Sequence, residues 1–421
     1  MARGEHVTEG RRFDESTRWE MRPLKTVVDL RTSNVDKKSS PDEQPVLLCN
    51  YTDVYYSTEI ADPSGFMRAT ATPEEIRRFR LRRGDVIITK DSESADDIAV
   101  PAHVARDFDD VVCGYHLAIL RPRQELIGKY LYYVLLTDRV RDQFSLGANG
   151  ITRFGLSQGV INNVIVPVPD IGTQHDIATF LDRETARIDT LIEKKQQLLD
   201  LLEEKRTALI TQAVTRGLDP SVPMKDSGVE WIGEIPEHWE AVKLKYLAHL
   251  RSGKSITSSK IKEVGTYPVY GGGGLRGYSE GYTHDGEFAL IGRQGAHAGN
   301  VRYGTGKFWA SEHAVVVRPK CGVKIRWLGE VLRAMKLKRY AEAAAQPGIA
   351  VSEVSALLVP HPPPEEQRQI AVEIRKAWVK QEQVSTQVSK ALCLLQEYRS
   401  SIISAAVTGK IDVTEPILVP A

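Results

Sequence analysis

Two long stretches of the sequence carry apolar residues at helical spacing. The first runs from about Thr173 to Gly217, and its apolar positions are Ile177, Leu181, Ile188, Leu191, Leu198, Leu202 and Leu209. A Thr-x-x-Asp pattern at Thr173 predicts the N-terminal cap, and Gly217 predicts the end. The second stretch opens with Pro364, followed by two acidic residues, and ends before Gly409. Each pattern predicts a helix of about 44 residues and about 65 Å.

Charged residues flank the apolar stripe of the first predicted helix in the way that coiled coils require. They are Lys194, Lys195, Glu203, Glu204 and Lys205. An ordinary amphipathic helix buries such a stripe against a globular domain, and that interpretation stays open. Two helices of this length in one chain favour packing of the helices on each other.

The segments outside the two helices alternate between strand and helix patterns, which predicts α+β domains. In the first domain, residues 79–94 and 111–122 read as strands, and residues 129–144 read as a helix. In the second, residues 265–317 are glycine-rich and strand-like, and residues 324–344 read as a helix.

The chain contains an internal repeat. Residues 174–219 align without gaps on residues 367–412, with 13 identities in 46 positions, mostly near the ends. A second match pairs Trp19-Glu20 with Trp239-Glu240, and the pairs Leu24-Lys25 and Leu30-Arg31 recur at the same offset of 220. The repeat predicts the order domain, helix, domain, helix. The expected segments are a disordered extension (1–18), the first domain (19–169), the central helix (170–219), a linker (220–238), the second domain (239–360), the distal helix (361–412) and a tail (413–421).

Composition excludes several classes of protein. The 421 residues include 56 Lys and Arg against 55 Asp and Glu, so a net charge of +1 gives no overall reason to expect a nucleic-acid partner. Four cysteines lie far apart and form no metal or disulfide pattern. No secretory signal and no membrane-spanning stretch is present in the sequence, which predicts a cytoplasmic protein without a membrane partner.

Charge counted by segment changes this picture. Residues 239–360 hold 18 Lys and Arg against 9 Asp and Glu, a net charge of +9, while residues 19–169 hold 19 against 21, a net charge of −2. The basic excess of the second domain is mixed with tyrosine, tryptophan and amide side chains. These residue types contact phosphates and base edges in DNA.

No catalytic or nucleotide-binding motif emerges from the sequence. Gly253-Lys254-Ser255 resembles the end of a P-loop, but the first glycine of that motif would fall on Ala248. The run Gly271–Gly274 better suits a loop whose backbone approaches another surface. Scattered charged residues such as Asp85 and Lys90 form no metal-ligand cluster. His116 and His313 occupy equivalent strand positions, where a hydrogen-bonded histidine near the core is the simplest interpretation.

Several segments together resemble the specificity subunits of type I restriction-modification enzymes. They are residues 181–220, KDSGVEWIGEIPEHW (225–239), PPPEEQRQIA (362–371) and SAAVTGKID (404–412). The resemblance spans nearly the whole chain after residue 18. The sequence departs from the family at VPDIGTQHDIA (168–178). Other members more often begin the helix with an acidic, Glu-Gln-like pair, of which this chain keeps only Gln174.

The resemblance implies a non-catalytic subunit that selects the DNA sequence for a complex. It implies two target recognition domains, each reading one half of a bipartite site in double-stranded DNA, separated by two antiparallel helices related by a pseudo-two-fold axis. The expected partners are methyltransferase subunits, two in number, and restriction or motor subunits. S-adenosylmethionine, ATP and Mg²⁺ are expected on those partners, whose complex would methylate adenine and cleave DNA. Open alternatives are a coiled-coil protein adaptor, a stand-alone sequence-specific DNA-binding protein, and an enzyme that acts alone.

Charge and hydrogen-bonding capacity within these two domains select candidate DNA-binding residues. In the first domain they are Arg77, Arg78, Arg80, Lys90, Ser92, Tyr115, Asn149 and Arg153. In the second domain they are Arg276, Tyr278, Arg293, Gln294, His297, Asn300, Lys307 and Trp309.

Overall fold

The computed structural model describes residues 18–341 and 348–414. Most of the expected N-terminal extension and tail, and residues 342–344 of the second predicted domain helix, lie outside these ranges. Two compact units are present, one built from residues up to Lys194 together with those from Ala391, the other from Lys195–Lys390. No helix in the described residues is long and apolar enough to cross a membrane.

Both long helices are present as predicted. The central helix spans Ile171–Arg216 and the distal helix spans Pro364–Val407. Gly217 and Gly409 follow the helix ends in the left-handed conformation, with φ of 78° and 71°. This confirms the predicted glycine stops, since a side chain is strained in that conformation.

The predicted cap of the central helix was wrong by three residues. Asp170 is the capping residue, because its carboxylate accepts from the Thr173 backbone N at 3.0 Å and from the Thr173 hydroxyl at 2.6 Å. An aspartate at this position binds free N–H groups of the first turn and carries the negative charge that a helix N-terminus favours.

The first unit contains two sheets around a shared core. Its five-stranded sheet has the order Val28–Thr32, Leu117–Pro122, Val86–Thr89, Pro101–Val104 and Glu59–Ile60, antiparallel except for the last pair. The three-stranded sheet has the order Met67–Ala71, Gln44–Cys49 and Val111–Cys113. Two-stranded ribbons pair Met21–Pro23 with Ile165–Pro167 and Asp91–Ser92 with Phe154–Gly155. The helices are Leu24–Val27, Tyr51–Tyr55, Pro73–Phe79, Gly128–Leu135, Asp138–Gly147 and Gln158–Asn163, with a 3-10 turn at Ala95–Asp97.

The second unit repeats the central part of this arrangement. Its antiparallel sheet has the order Ala248–Ser252, Ala314–Pro319, Phe288–Gly292 and Val301–Gly304. A second sheet has the order Gly274–Ser279, Tyr267–Gly271, Lys307–Ala310 and His284–Asp285. Two-stranded ribbons pair Glu240–Lys243 with Leu358–His361 and Met224–Asp226 with Glu234–Pro236. The helices are Leu244–Leu247, Ile325–Ala334 and Val351–Ala356, with 3-10 turns at Ser258–Lys260, Gly295–His297 and Leu337–Tyr340.

The α+β prediction is confirmed, but the bounds of four predicted elements were wrong. The predicted strand 111–122 is two strands, Val111–Cys113 and Leu117–Pro122, which belong to different sheets. The predicted helix 129–144 is two helices, because Thr137 is extended and its hydroxyl turns back to the Val134 carbonyl at 2.7 Å. The predicted helix 324–344 ends at Ala334, and Lys336 then adopts a left-handed φ of 49°. The predicted strand 79–94 begins with the last residue of a helix and holds two short strands.

Each unit anchors one end of each long helix in its core. In the first unit, Ile177 and Leu181 of the central helix lie in one cluster with Ile403 and Ala406 of the distal helix. The second unit does the same with Ile210 and Ala213 of the central helix, which lie in one cluster with Ile370 and Ile374 of the distal helix. The helix ends therefore pack on the domains, as the simpler interpretation of their apolar stripe predicted.

The two helices also contact each other within each unit. In the first unit, Arg399 of the distal helix donates to both carboxylate oxygens of Asp189, at 2.8 and 3.2 Å. In the second unit, Gln381 donates to the Leu202 carbonyl, and the Arg206 guanidinium lies 4.3 Å from the ring centroid of Trp378. Within the second unit the partner on the distal helix falls from Gln381 to Trp378 as the partner on the central helix rises from Leu202 to Arg206, so the helices run antiparallel there.

A buried glutamine attaches each helix start to its domain. Gln174 accepts from the Ile127 backbone N at 2.8 Å and donates to the Pro169 and Glu125 carbonyls at 2.8 and 2.9 Å. Gln367 accepts from the Lys324 backbone N at 2.9 Å and donates to the Pro362 carbonyl at 2.8 Å. Both glutamines are 0% exposed. The identity of these two positions in the repeat therefore reflects a shared buried hydrogen-bond network.

Candidate nucleic-acid interface

Each domain fixes one basic residue at the end of a buried strand with the same two backbone hydrogen bonds. In the first domain, the Lys90 N–H donates to the His116 carbonyl at 3.0 Å, and the Lys90 carbonyl accepts from Leu156 at 2.9 Å. In the second, Arg293 donates to the His313 carbonyl at 2.9 Å and accepts from Ile349 at 2.8 Å. These bonds make Lys90 equivalent to Arg293 and His116 equivalent to His313.

The next residue in each domain is held against a glycine. Asp91 pairs with Gly155 in a short antiparallel ribbon, and Gln294 forms an isolated bridge with Gly348. The offset of 203 that relates Lys90 to Arg293 also relates Asp91 to Gln294. Two equivalent backbone positions thus carry a carboxylate in one domain and an amide in the other.

The side chains around Asp91 form a compact polar cluster. Asp91 Oδ2 lies 2.7 Å from His116 Nδ1 and 4.0 Å from Lys90 Nζ. Arg153 Nη2 lies 3.1 Å from His116 Nδ1, and the Tyr115 and His116 ring centroids are 3.7 Å apart. Lys90 and Tyr115 line an adjacent cleft of about 600 Å³, whose other lining residues are Ser33, Asn34, Asp36, Lys37 and Lys38.

The structure brings five of the eight candidates of the first domain into one region. Lys90, Tyr115 and Arg153 belong to the cluster, and buried Ser92 follows Asp91 directly. Asn149 joins them through two backbone hydrogen bonds with Gly155, of 3.1 and 2.9 Å.

The other three candidates of the first domain, Arg77, Arg78 and Arg80, lie elsewhere. Arg77 and Arg78 occupy the last turn of helix Pro73–Phe79, and half-buried Arg80 follows it. Within the described residues, no hydrogen bond or ion pair of their side chains joins them to the Asp91 cluster. The exposed positions of Arg77 and Arg78 suit contact with a phosphate more than a shared base-reading pocket.

In the second domain, the glycine run lies against a group of exposed polar side chains. A methyl group on Gly273 would lie 2.8 Å from His297, and one on Gly274 would lie 3.1 Å from Arg302. A methyl group on Gly271 would lie 2.6 Å from Arg276. A methyl group on Gly272 would lie 3.1 Å from the His313 carbonyl oxygen, and Gly274 has a φ of 115° that favours glycine. The backbone of the run therefore approaches another surface, as expected from the sequence.

Four candidates of the second domain are thereby placed close to Arg293. Gln294 adjoins it, and a methyl group on Gly272 would lie 3.6 Å from the Gln294 carbonyl oxygen. Arg276 and His297 contact the same glycine run, and Asn300 Nδ2 lies 3.4 Å from His297 Nδ1.

The remaining three candidates belong to the second sheet of that unit. Lys307 Nζ lies 5.0 Å from the Tyr282 ring centroid, and Trp309 Nε1 donates to the Lys254 carbonyl at 2.9 Å. Tyr278 packs against Gly265 and exchanges backbone hydrogen bonds with Lys262 at 2.8 and 2.9 Å. These residues form a second basic and aromatic surface beside Lys262 and Lys254.

A basic cleft adds to the positive surface of the second unit. Its volume is about 550 Å³, and Asn300 and Arg302 line it with Arg206, Arg333 and Lys336 among others.

A half-buried histidine, His284, lies in the edge strand of the second sheet of this unit. Burial lowers the pKa of His284, and the positive charges of Arg318 and Lys254 lower it further. The neutral imidazole of His284 stacks on Phe308, with ring centroids 5.4 Å apart. His284 therefore acts as an aromatic packing group and adds no positive charge to the surface at neutral pH.

Residues that the sequence did not single out complete both regions. Asp91 and Arg302 were absent from the candidates, and His116 was interpreted as structural. The sequence offered one signal for this region, the equivalence of His116 and His313. The backbone carbonyls of these two histidines accept the hydrogen bonds of Lys90 and Arg293.

No metal centre is present in the described part of the chain. It contains no group of three or more acidic, histidine or cysteine side chains suited to a metal ion. Asp85, one of the scattered acids, is instead paired with Arg121, at 2.7 and 2.6 Å.

Comparison with known proteins identifies the family. The profile of the family described as "Type I restriction modification DNA specificity domain" matches residues 17–200 and 236–376. The chain is 44% identical over 131 residues to the type I restriction enzyme EcoprrI specificity subunit of Escherichia coli, which covers 30% of this chain and 33% of that protein. It is 20% identical over 359 residues to the EcoKI specificity subunit of Escherichia coli K12, covering 78% and 75% of the two chains.

Some relatives are matched over only part of their length, whereas the fold is shared almost throughout. Three relatives, EcoprrI included, are matched over only 30% to 57% of their own length. A chain solved in work on complex assembly and conformational transition of the type I R-M system superposes with a TM-score of 0.74 at 15% identity, covering 93% of this chain and 98% of that chain. Since the family profile matches more than half of the sequence, in two regions that contain the two domains, the chain belongs to the type I restriction-modification specificity subunits.

Proposed function

We propose that this chain selects the DNA sequence on which a type I restriction-modification complex acts, and that it has no catalytic centre of its own. The observation that carries the proposal is the pair of equivalent basic positions, Lys90 and Arg293, held by the same backbone hydrogen bonds in two domains. Each is surrounded by side chains that bind phosphates or base edges.

Each domain reads one half of a bipartite target in double-stranded DNA. Two copies of one backbone frame with different side chains around it suit two half-sites of different sequence. The paired helices set the spacing between the half-sites. The number of base pairs in the gap is therefore fixed, whereas their sequence is unspecified.

The helices also dock the partner subunits. Large apolar side chains are exposed along them, with Leu201 60% and Leu394 64% exposed. Large exposed apolar patches are typical of protein contact surfaces, and several apolar side chains of both helices are exposed. The partners are two methyltransferase subunits and the restriction or motor subunits, which supply the S-adenosylmethionine, ATP and Mg²⁺ chemistry.

Mapping methylated adenines tests this function directly. The chain is co-expressed with its methyltransferase subunits in a host without other adenine methylation, and the genomic DNA is sequenced for modified bases. We expect one split motif with two specified halves and an unspecified gap. A single continuous motif, or methylation without sequence preference, would contradict the proposal.

The spacing role has a separate test. Removing one matched heptad from both helices, residues 193–199 and 386–392, should shorten the gap and leave both half-site sequences unchanged. Removing the heptad from the central helix alone is the control, because it breaks the register between the helices and should abolish methylation. Changed half-site sequences in the matched deletion would show that the helices do not set the spacing.

A further inference from the structure

We propose that Asp91 and Gln294 are the equivalent residues that set base identity, one in each half of the target. This inference rests on the proposed function. The neighbouring candidate residues supply positive charge and orient the DNA, and this pair determines which bases are preferred.

Both residues occupy a rigid place in the backbone. Asp91 lies two residues beyond the strand Val86–Thr89, and Gln294 lies two residues beyond Phe288–Gly292, and every residue of both strands is buried. Hydrogen bonds on both sides hold the intervening Lys90 and Arg293. Base reading demands such rigidity, because misplacement of a side chain by about 1 Å loses the hydrogen bonds that discriminate bases.

The two side chains differ in the property by which base pairs are distinguished. A carboxylate only accepts hydrogen bonds, whereas an amide both donates and accepts. In the major groove, cytosine offers an amino donor, and adenine offers an amino donor beside an acceptor. Asp91 is thus suited to an amino group of cytosine or adenine, and Gln294 to the donor and acceptor pair of adenine.

The surroundings of both side chains leave them able to form a hydrogen bond with a base. Asp91 uses Oδ2 to bind His116, whereas Oδ1 makes no hydrogen bond within the described residues. The neighbour of Oδ1 is Gly155, whose missing side chain would otherwise lie 3.3 Å from it. The Gln294 side chain is exposed and makes no hydrogen bond within the described residues. The neighbouring Lys90 and Arg293 supply positive charge for the DNA backbone, which orients the duplex without specifying its sequence.

The test compares base preferences of wild-type and variant chains in the assembled methyltransferase complex. Duplexes are selected from a library randomised at every half-site position, and methylated genomic motifs are mapped in parallel. Asp91→Asn should reduce the preference at one base pair of the first half-site by roughly 10- to 150-fold, which corresponds to the loss of one hydrogen bond to a charged group. Gln294→Glu should have the same effect at one base pair of the second half-site, and each variant should leave the other half-site unchanged.

Matched controls separate base reading from DNA affinity and from folding. Arg78→Ala and Arg276→Ala should weaken binding to all library members equally and leave both motifs intact. Only variants that assemble with the methyltransferase subunits in the normal ratio are compared, which excludes misfolded chains. Asp91→Glu and Gln294→Asn provide a second substitution at each site.

Three results would overturn the inference. One is an unchanged motif with uniformly lower binding in Asp91→Asn or Gln294→Glu. Another is a change in both half-sites from a single substitution. The third is a base change in His116→Gln without one in Asp91→Asn, which would assign recognition to the histidine. Failure of the proposed function itself would appear differently, as the absence of a split motif with the wild-type chain.

Discussion

Two arginines at equivalent strand positions show how differently the two domains use one backbone. Arg121 in the first domain donates to the carboxylate of Asp85, which is 1% exposed. Arg318 in the second domain instead lies 5.6 Å from the ring centroid of Phe288. Asp85 and Phe288 are equivalent, because the residues that follow them occupy the same register against the arginine strand.

This difference explains part of the contrast in charge between the domains. A carboxylate neutralises the arginine in the first domain, whereas an aromatic ring stabilises the arginine in the second without cancelling its charge. The same trend holds at the candidate interface, where Asp91 in the first domain is replaced by neutral Gln294 in the second. Substitutions at equivalent positions of a shared framework thus contribute to net charges of −2 and +9.

The largest effect is expected from breaking the buried ion pair. Asp85→Asn leaves the mostly buried Arg121 without a counter-charge, so the first domain should lose about 3–5 kcal/mol of stability. Phe288→Leu should cost the second domain only about 1–2 kcal/mol, because it removes a cation–π interaction and leaves a small cavity. Hydrogen exchange in urea measures each domain separately within the full chain. A loss below about 1 kcal/mol in Asp85→Asn would contradict the assigned role.

The buried glutamines should show what the two domains share. Gln174→Ala and Gln367→Ala each leave a backbone N–H at Ile127 or Lys324 without its acceptor, so each should cost about 1–3 kcal/mol in its own unit. Gln174 makes one hydrogen bond more and should cost slightly more. Local hydrogen exchange at the two helix starts is the measurement, and Gln212→Ala on the exposed face of the central helix is the control. Protection unchanged at the helix starts would argue against a shared anchoring role.

Binding to non-specific duplex DNA should separate the domains electrostatically. Replacing Arg293 and Arg302 together by Ala should lower affinity about tenfold at low salt and reduce the salt slope by about two, because each arginine accounts for about one phosphate contact. Replacing Arg77 and Arg78 should have a smaller effect, because the first domain carries a net negative charge. Fluorescence anisotropy over a salt series measures both. Equal slopes for the two double variants would remove the proposed asymmetry.

The smallest expected effect is on the pH dependence of stability. Burial lowers the pKa of His284, as do Arg318 and Lys254, while burial and Lys129 lower the pKa of His103 in the first domain. The unfolded chain therefore takes up a proton more readily, so stability is full above about pH 6.5 and falls as pH drops toward the folded pKa. Solvent screening should keep each loss below about 1 kcal/mol. His284→Gln and His103→Gln should each flatten the stability profile of their own domain between about pH 5 and 7, and an unchanged profile would contradict this assignment.

Sequence patterns predicted the candidate interface unevenly. The clustering of basic and amide residues selected Lys90, Arg293 and Gln294, and the fold places Lys90 and Arg293 at equivalent positions of the two domains. Asp91 was not among the candidates, because an acidic residue is not expected beside DNA. Its hydrogen bond to His116 also joins residues 25 positions apart, which a local pattern does not reveal. Arg77 and Arg78 were grouped with Lys90 by charge alone, although the fold places them on a separate helix.

The sequence by itself determined the family, the order of elements and the two long helices. Helical periodicity, glycine stops and the internal repeat are local properties, so they can be read without the fold. The repeat also marks Ile210 and Ile403, and Ala213 and Ala406, which are identical because each lies in a domain core. No position between residues 179 and 198 is identical to its repeat partner, and this stretch contains exposed residues such as Leu191 and Leu198.

Only the tertiary structure decided which residues share a site. The equivalence of Asp91 with Gln294, and of Asp85 with Phe288, depends on strand register, which is set by hydrogen bonds between segments far apart in sequence. A shift of one residue in register turns every side chain to the opposite face of a strand. Charge and residue type therefore select candidates, while register determines which positions of the two domains are equivalent and which side chains lie together.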